Sequence, residues 1–162
     1  MSATRLFVMI CFCAVALAQN PVQRGTHLNH ATGPFDVKLA PQKPDNAPEE
    51  ESKLGRMSID KQFHGDLEGT SKGVMLSFMT DVKGSAGYVA IERVTGTLHG
   101  RSGSFVFQHN ATMDRGKPQL NIIVVPDSGT GELVGLAGTM QINIDSAGKH
   151  TYNFEYSLPG TK

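Results

Sequence analysis

The sequence predicts an all-β fold, a single closed antiparallel eight-stranded β-barrel preceded by a cleavable signal peptide. Three observations predict it. From Leu54 onward, β-branched and aromatic residues alternate with polar ones, which is the period of a half-buried strand. Glycine-containing turns interrupt that alternation at regular intervals. No stretch carries the 3.6-residue apolar period of an amphipathic helix. Strands of this number and length close on themselves, because closure removes edges that would template aggregation.

The chain begins with an export signal. Arg5 supplies a positive flank, Leu6 to Ala14 is unbroken apolar sequence, and Ala16-Leu17-Ala18 is a small-x-small cleavage site before Gln19. The run is too short to span a bilayer, which takes about 20 apolar residues. Residues 1–18 are therefore read as signal peptide, 19–31 as a flexible leader, and 32–162 as the barrel domain. The mature protein is expected in the periplasm or outside the cell, with no stable membrane insertion.

Cleavage removes Cys11 and Cys13, the only two cysteines. That excludes an internal disulfide, a thiol nucleophile and a thiolate metal site. It also removes Arg5, so acidic residues then outnumber Lys and Arg by one. A nearly neutral chain without a basic block is unsuited to nucleic acid, whose binding is dominated by phosphate neutralisation. A core must supply the stability, which is feasible at this size.

The strands are expected at Thr32–Leu39, Arg56–His64, Asp66–Phe78, Gly87–His99, Ser104–Met113, Gln119–Val125, Leu133–Asp145 and His150–Leu158. Between the first two, Pro41 to Ser52 holds three prolines and the acidic run Glu49-Glu50-Glu51, a solvated loop by composition. His27-Leu28-Asn29-His30 has the spacing of a helical metal site but no helix around it, and is read as loop. Interior glycines such as Gly69, Gly73 and Gly96 mark the bends that strong barrel curvature requires.

Two hairpins can be read in register. With the turn at Gly100-Arg101-Ser102-Gly103, Leu98 pairs with Phe105 and Gly96 with Phe107. One face then carries Tyr88, Ala90, Glu92, Val94, Leu98, Phe105, Phe107, His109, Ala111 and Met113, and is mostly apolar. The other carries Arg93, Thr95, Thr97, Ser104, Gln108 and Asn110, and is polar. The first face should point inward. The second hairpin turns at Ser146-Ala147-Gly148 and pairs Ile144 with His150, Ile142 with Tyr152 and Met140 with Phe154.

Gly55–His64 running into Gly65-Asp66-Leu67-Glu68-Gly69, then Gly84–Met113, Val125–Met140 and His150–Leu158, resemble the bacterial domain-of-unknown-function 3224 family. The resemblance covers nearly the whole mature chain and implies a barrel of the allene oxide cyclase type. Gly129-Thr130-Gly131-x-Leu133-x-Gly135-x-x-Gly138 is similar to the glycine-rich segment of allene oxide cyclases and dirigent proteins. It implies a fold and carries no functional residue across.

Polar groups on the apolar inner face are the candidate site. Glu92 falls opposite Ala111 in this register and diagonal to His109, within reach of a long side chain. The expectation is a Glu92–His109 hydrogen bond in the lumen, near Tyr88, with the carboxyl pKa raised by its apolar surroundings. These two are the candidate catalytic pair. Tyr88, Glu92, Phe105, Phe107, His109 and Met113 are the expected ligand-binding residues. No metal or other cofactor is expected. His64, Asp66 and Glu68 are placed outside, beyond a bend at Gly65.

Three functions are compatible with this pattern. The barrel binds a small apolar ligand, acts as a cofactor-free isomerase or cyclase through Glu92 and His109, or is a structural barrel with a filled core. An eight-stranded lumen holds either packed side chains or one small ligand. A cavity of about 300 Å³ or more beside Tyr88 and His109 would favour binding or catalysis. A lumen closed by Phe105, Phe107, Met140, Phe154 and Tyr156 would favour structure.

Overall fold

Neighbour-to-neighbour antiparallel pairing carries eight strands around a closed barrel in simple sequence order. They are β1 Asn29–Pro41, β2 Leu54–Phe63, β3 Leu67–Met79, β4 Ala86–Leu98, β5 Arg101–Asp114, β6 Lys117–Val124, β7 Ala137–Ile144 and β8 His150–Ser157. This computed structural model describes residues 28–43 and 54–160. The signal segment, most of the leader and the Glu49–Glu51 run lie outside the described residues.

β1 starts at Asn29, three residues before the expected Thr32, because its backbone finds partners on β8, from Asn29↔Tyr156 to Phe35↔His150. Ala31, expected in the leader, is fully buried in the wall. Beyond Phe35 the same strand pairs with β2 instead, ending at Pro41↔Met57. One long bent strand thus joins both sides of the closure.

The β4–β5 register is corrected by four residues. Glu92 stands opposite Phe107, Val94 opposite Phe105, and Leu98 opposite Arg101. The turn is His99-Gly100, with φ of 48° and 79°, the left-handed pair that a two-residue hairpin of the right twist requires. A shift of an even number of residues leaves every side chain on its expected face. The inward set therefore holds from Ala90 to Ala111. Met113 departs from it, 40% exposed at the end of β5. The β7–β8 register is the expected one, Ile144↔His150 through Met140↔Phe154.

The expected strand Leu133–Asp145 is also corrected. Gly131–Leu133 is a single 3₁₀ turn, Gly135 has φ 81°, and β7 begins only at Ala137. The segment between β6 and β7 runs along β5 where β6 has ended. Val125 N–H donates to the Val106 carbonyl at 2.8 Å and Thr130 N–H to the Ser104 carbonyl at 2.8 Å. A Cβ on Gly103 would stand 2.1 Å from the Thr130 carbonyl oxygen, so only glycine admits this crossing. Leu133 and Leu136, both buried, plug that end of the barrel, and the segment also buries Ser104, expected on the polar face.

Phe63, Phe105, Phe107 and Phe154 fill the plugged half. Phe105 and Phe107 meet edge to face at 4.9 Å, and Phe154 lies 5.4 Å from Phe107 and 5.2 Å from Tyr156. Each fully buried aromatic of this kind contributes about 1.5–3 kcal/mol by leaving water. The opposite half is lined more sparsely. Around it β6 and β7 pair only through Ile122↔Met140 and Ile123↔Thr139, so their outer segments part.

Candidate functional site

Alternation positions the site. On β2, Ile59 and Phe63 are buried, so Lys61 between them projects inward as well. Ser71 on β3 is directly opposite Lys61, while on β4 Glu92 lies opposite Gly73 and diagonal to Ser71. On β5, His109 pairs with Ala90, one diagonal step from Glu92. Four consecutive strands thus bring one polar side chain each to a single point.

All four side chains are buried, and Glu92 is wholly inaccessible. Lys61 Nζ donates to Glu92 Oε2 at 2.7 Å. The Ser71 hydroxyl donates to Oε1. His109 Nε2 approaches Oε2 to 2.9 Å without the alignment of a formed hydrogen bond. The Lys61 ammonium also sits over the faces of Phe35 and Phe63, at 5.2 and 5.6 Å from their centroids.

The expected raised pKa for Glu92 is corrected. Burial does push it up, but the His109 nitrogen, the Lys61 charge and the Lys61 and Ser71 hydrogen bonds outweigh burial and hold it at about 2. Glu92 is a fixed carboxylate and a weak base. Tyr88 is shifted the other way, its pKa raised by burial and then by the Glu92 charge.

Above the cluster opens a cavity of about 310 Å³ at the end of the barrel opposite the plug. Its wall is apolar, with Phe35, Val37, Ile59, Leu120 and Ile142 among the lining residues. Lys61 and His109 also border it, together with Tyr88 and His150. Glu92 does not; it is screened by its own partners.

Of the six residues expected to bind ligand, Tyr88 and His109 therefore face the cavity. Glu92 lies behind it, Phe105 and Phe107 are packed into the filled half, and Met113 is outside. The expected approach of Glu92 and His109 is present, although through a different register. Sequence reasoning missed Lys61 and Ser71. The signal for Lys61 was available in Ile59-x-Lys61-x-Phe63, a lysine in phase with two core residues. The His64, Asp66 and Glu68 group sits at the barrel end around the Gly65 bend, where His64 Nδ1 is 3.3 Å from Glu68 and Asp66 accepts from Thr32 N–H at 2.8 Å. Asp66 is lowered in pKa chiefly by that backbone bond.

The sequence profile of a family described as protein of unknown function (DUF3224) matches residues 31–156. A crystal structure of a protein with unknown function from the same family, from Shewanella oneidensis MR-1, is 51% identical. It covers 83% of this chain and 100% of its own, with a TM-score of 0.76. Comparison with the curated proteins finds no match. With a profile match across nearly all of the described barrel and a structural relative in the same group, this chain belongs to the DUF3224 family.

Proposed function

We propose that this protein is an exported binding module that takes one small, mainly apolar ligand into the cup. The observation that carries the reading is the division of the lumen: one half is packed with phenylalanines, while the other leaves about 310 Å³ between apolar walls. A purely structural barrel has no reason to leave such a space, since close packing of that volume would add stability. The size lies at the lower end of small-molecule sites. Export to the periplasm or outside the cell is the part of the reading supported by the Arg5, Leu6–Ala14 and Ala16-Leu17-Ala18 pattern. The isomerase reading loses its proposed acid, because a carboxyl held near pKa 2 and hidden from the cavity is not poised to exchange a proton with a ligand.

Nile red, a neutral apolar dye, tests the binding reading on the mature chain. One saturable site with blue-shifted emission is expected, weakened at least tenfold in Ile142→Glu, with the β-sheet circular dichroism of that variant unchanged. Dye binding that is absent, or equal in the folded variant, overturns the proposal.

A further inference from the structure

The cup has a polar floor of one kind, and that restricts what can sit on it. The polar residues that border the cavity are Lys61 from β2, Tyr88 from β4 and His109 and His150 from β5 and β8. The carboxylate of Glu92 is behind Lys61 and His109, and the Ser71 hydroxyl is turned to it. β1, β6 and β7 add only apolar side chains such as Val37, Leu120 and Ile142. A ligand looking down meets the lysine and the tyrosine as donor residues, two imidazoles and no carboxylate side chain.

Lys61 has donors to spare. An ammonium has three N–H groups. One goes to Glu92, and among the described residues its other neighbours are the ring faces of Phe35 and Phe63. The His109 Nε2, by contrast, is 2.9 Å from the Glu92 carboxylate and is turned to the ion pair, so Lys61 is the donor left for a ligand. A buried donor left unfilled bears its desolvation cost without compensation. A ligand acceptor at this point would remove part of that cost.

Charge decides which acceptor. Lys61 and Glu92 cancel, so the buried ion pair carries no net charge. A carboxylate head would then stand near Glu92 with a single ammonium between two anions. It would leave a net negative charge in a low-dielectric cup, a costly arrangement. An uncharged acceptor incurs no such penalty.

Building on the binding-module reading, we infer that the ligand is an apolar molecule with a neutral carbonyl head, an aldehyde, ketone or ester, seated head-down on Lys61 with its tail toward the parted β6–β7 seam. The cup selects the head by its donors and the tail by its walls.

Three probes of matched chain length separate the possibilities by displacement of Nile red at pH 8: 2-decanone, decanoate and decane. The ketone should displace the dye at a concentration at least tenfold below that needed for decanoate. Its bound carbonyl stretch should lie below the frequency in hexane. The charge-balanced double variant Lys61→Met/Glu92→Gln, which removes the ion pair without leaving one partner charged, should keep its β-sheet circular dichroism and lose the preference for ketone over decane. If no probe displaces the dye from the native protein, the cup-binding reading itself fails. If all three displace it alike, if decanoate wins, or if the carbonyl band is unshifted, only the head-group inference is overturned.

Discussion

Gly73 lies directly across from Glu92, and a Cβ on Gly73 would stand 3.0 Å from the Glu92 Cα and 2.6 Å from the Ile91 carbonyl oxygen. The missing side chain on β3 is what lets the two strands approach where the carboxylate turns inward. Gly73→Ala should cost roughly 1–3 kcal/mol in urea unfolding, because backbone rather than a flexible side-chain end must move. A cost below 0.5 kcal/mol, on the scale of an ordinary surface change, would show that the close approach has no structural consequence.

Breaking the buried pair should be expensive and removing it cheap. Lys61→Met alone leaves Glu92 charged without its ammonium and should destabilise by about 3–5 kcal/mol. Lys61→Met/Glu92→Leu removes both charges from the same buried place and should recover most of that loss. The comparison is made by denaturant unfolding of the two proteins. Equal stabilities would contradict the pairing seen at 2.7 Å.

Acid should unfold the barrel through Glu92. Its pKa is depressed from 4.5 to about 2, so the unfolded chain binds a proton at a higher pH than the folded one. The resulting stability is present above about pH 4.5 and lost as pH falls toward 2, with a magnitude of ~3 kcal/mol. Glu92→Gln should flatten the stability profile across that window. An unchanged slope would place the acid sensitivity elsewhere.

At the alkaline end the sign reverses. All three tyrosines, Tyr88, Tyr152 and Tyr156, are raised above 10, in each case first by burial. The folded state resists their ionisation, so stability is intact below pH 10 and falls above it. Absorbance titration should show the three phenols ionising above pH 10, together with unfolding. A phenol titrating at 10 in the folded protein would contradict the burial.

The two halves of the lumen should answer differently to truncation. Phe154→Ala hollows the packed half and should cost about 3–5 kcal/mol. Leu120→Ala, at a partly exposed cup residue, should cost under ~1 kcal/mol while weakening dye binding. Thermal unfolding and Nile red titration on the same preparations separate the effects.

Much of this was readable in the chain, for identifiable reasons. Side-chain facing depends only on parity, so the inward course from Ala90 to Ala111 survived a four-residue error in the hairpin register. The error itself arose because Gly100 and Gly103 both look like turn residues. Only the tertiary crossing by Thr130 shows that Gly103 serves a close approach and leaves the turn to His99-Gly100. Leu133 and Leu136 read as strand because their three-residue spacing is uninformative over so short a span, and their inward direction depends on the barrel end they plug.

The sequence by itself determined the all-β class, the eight-strand count and which residues are apolar in alternation, because those follow from local period and turn chemistry. Only the tertiary structure decided that Lys61 and Ser71 meet Glu92, and that its carboxyl pKa is depressed when burial alone would raise it. A pKa is set by charges and donors brought in from other strands, and no local pattern encodes their distance.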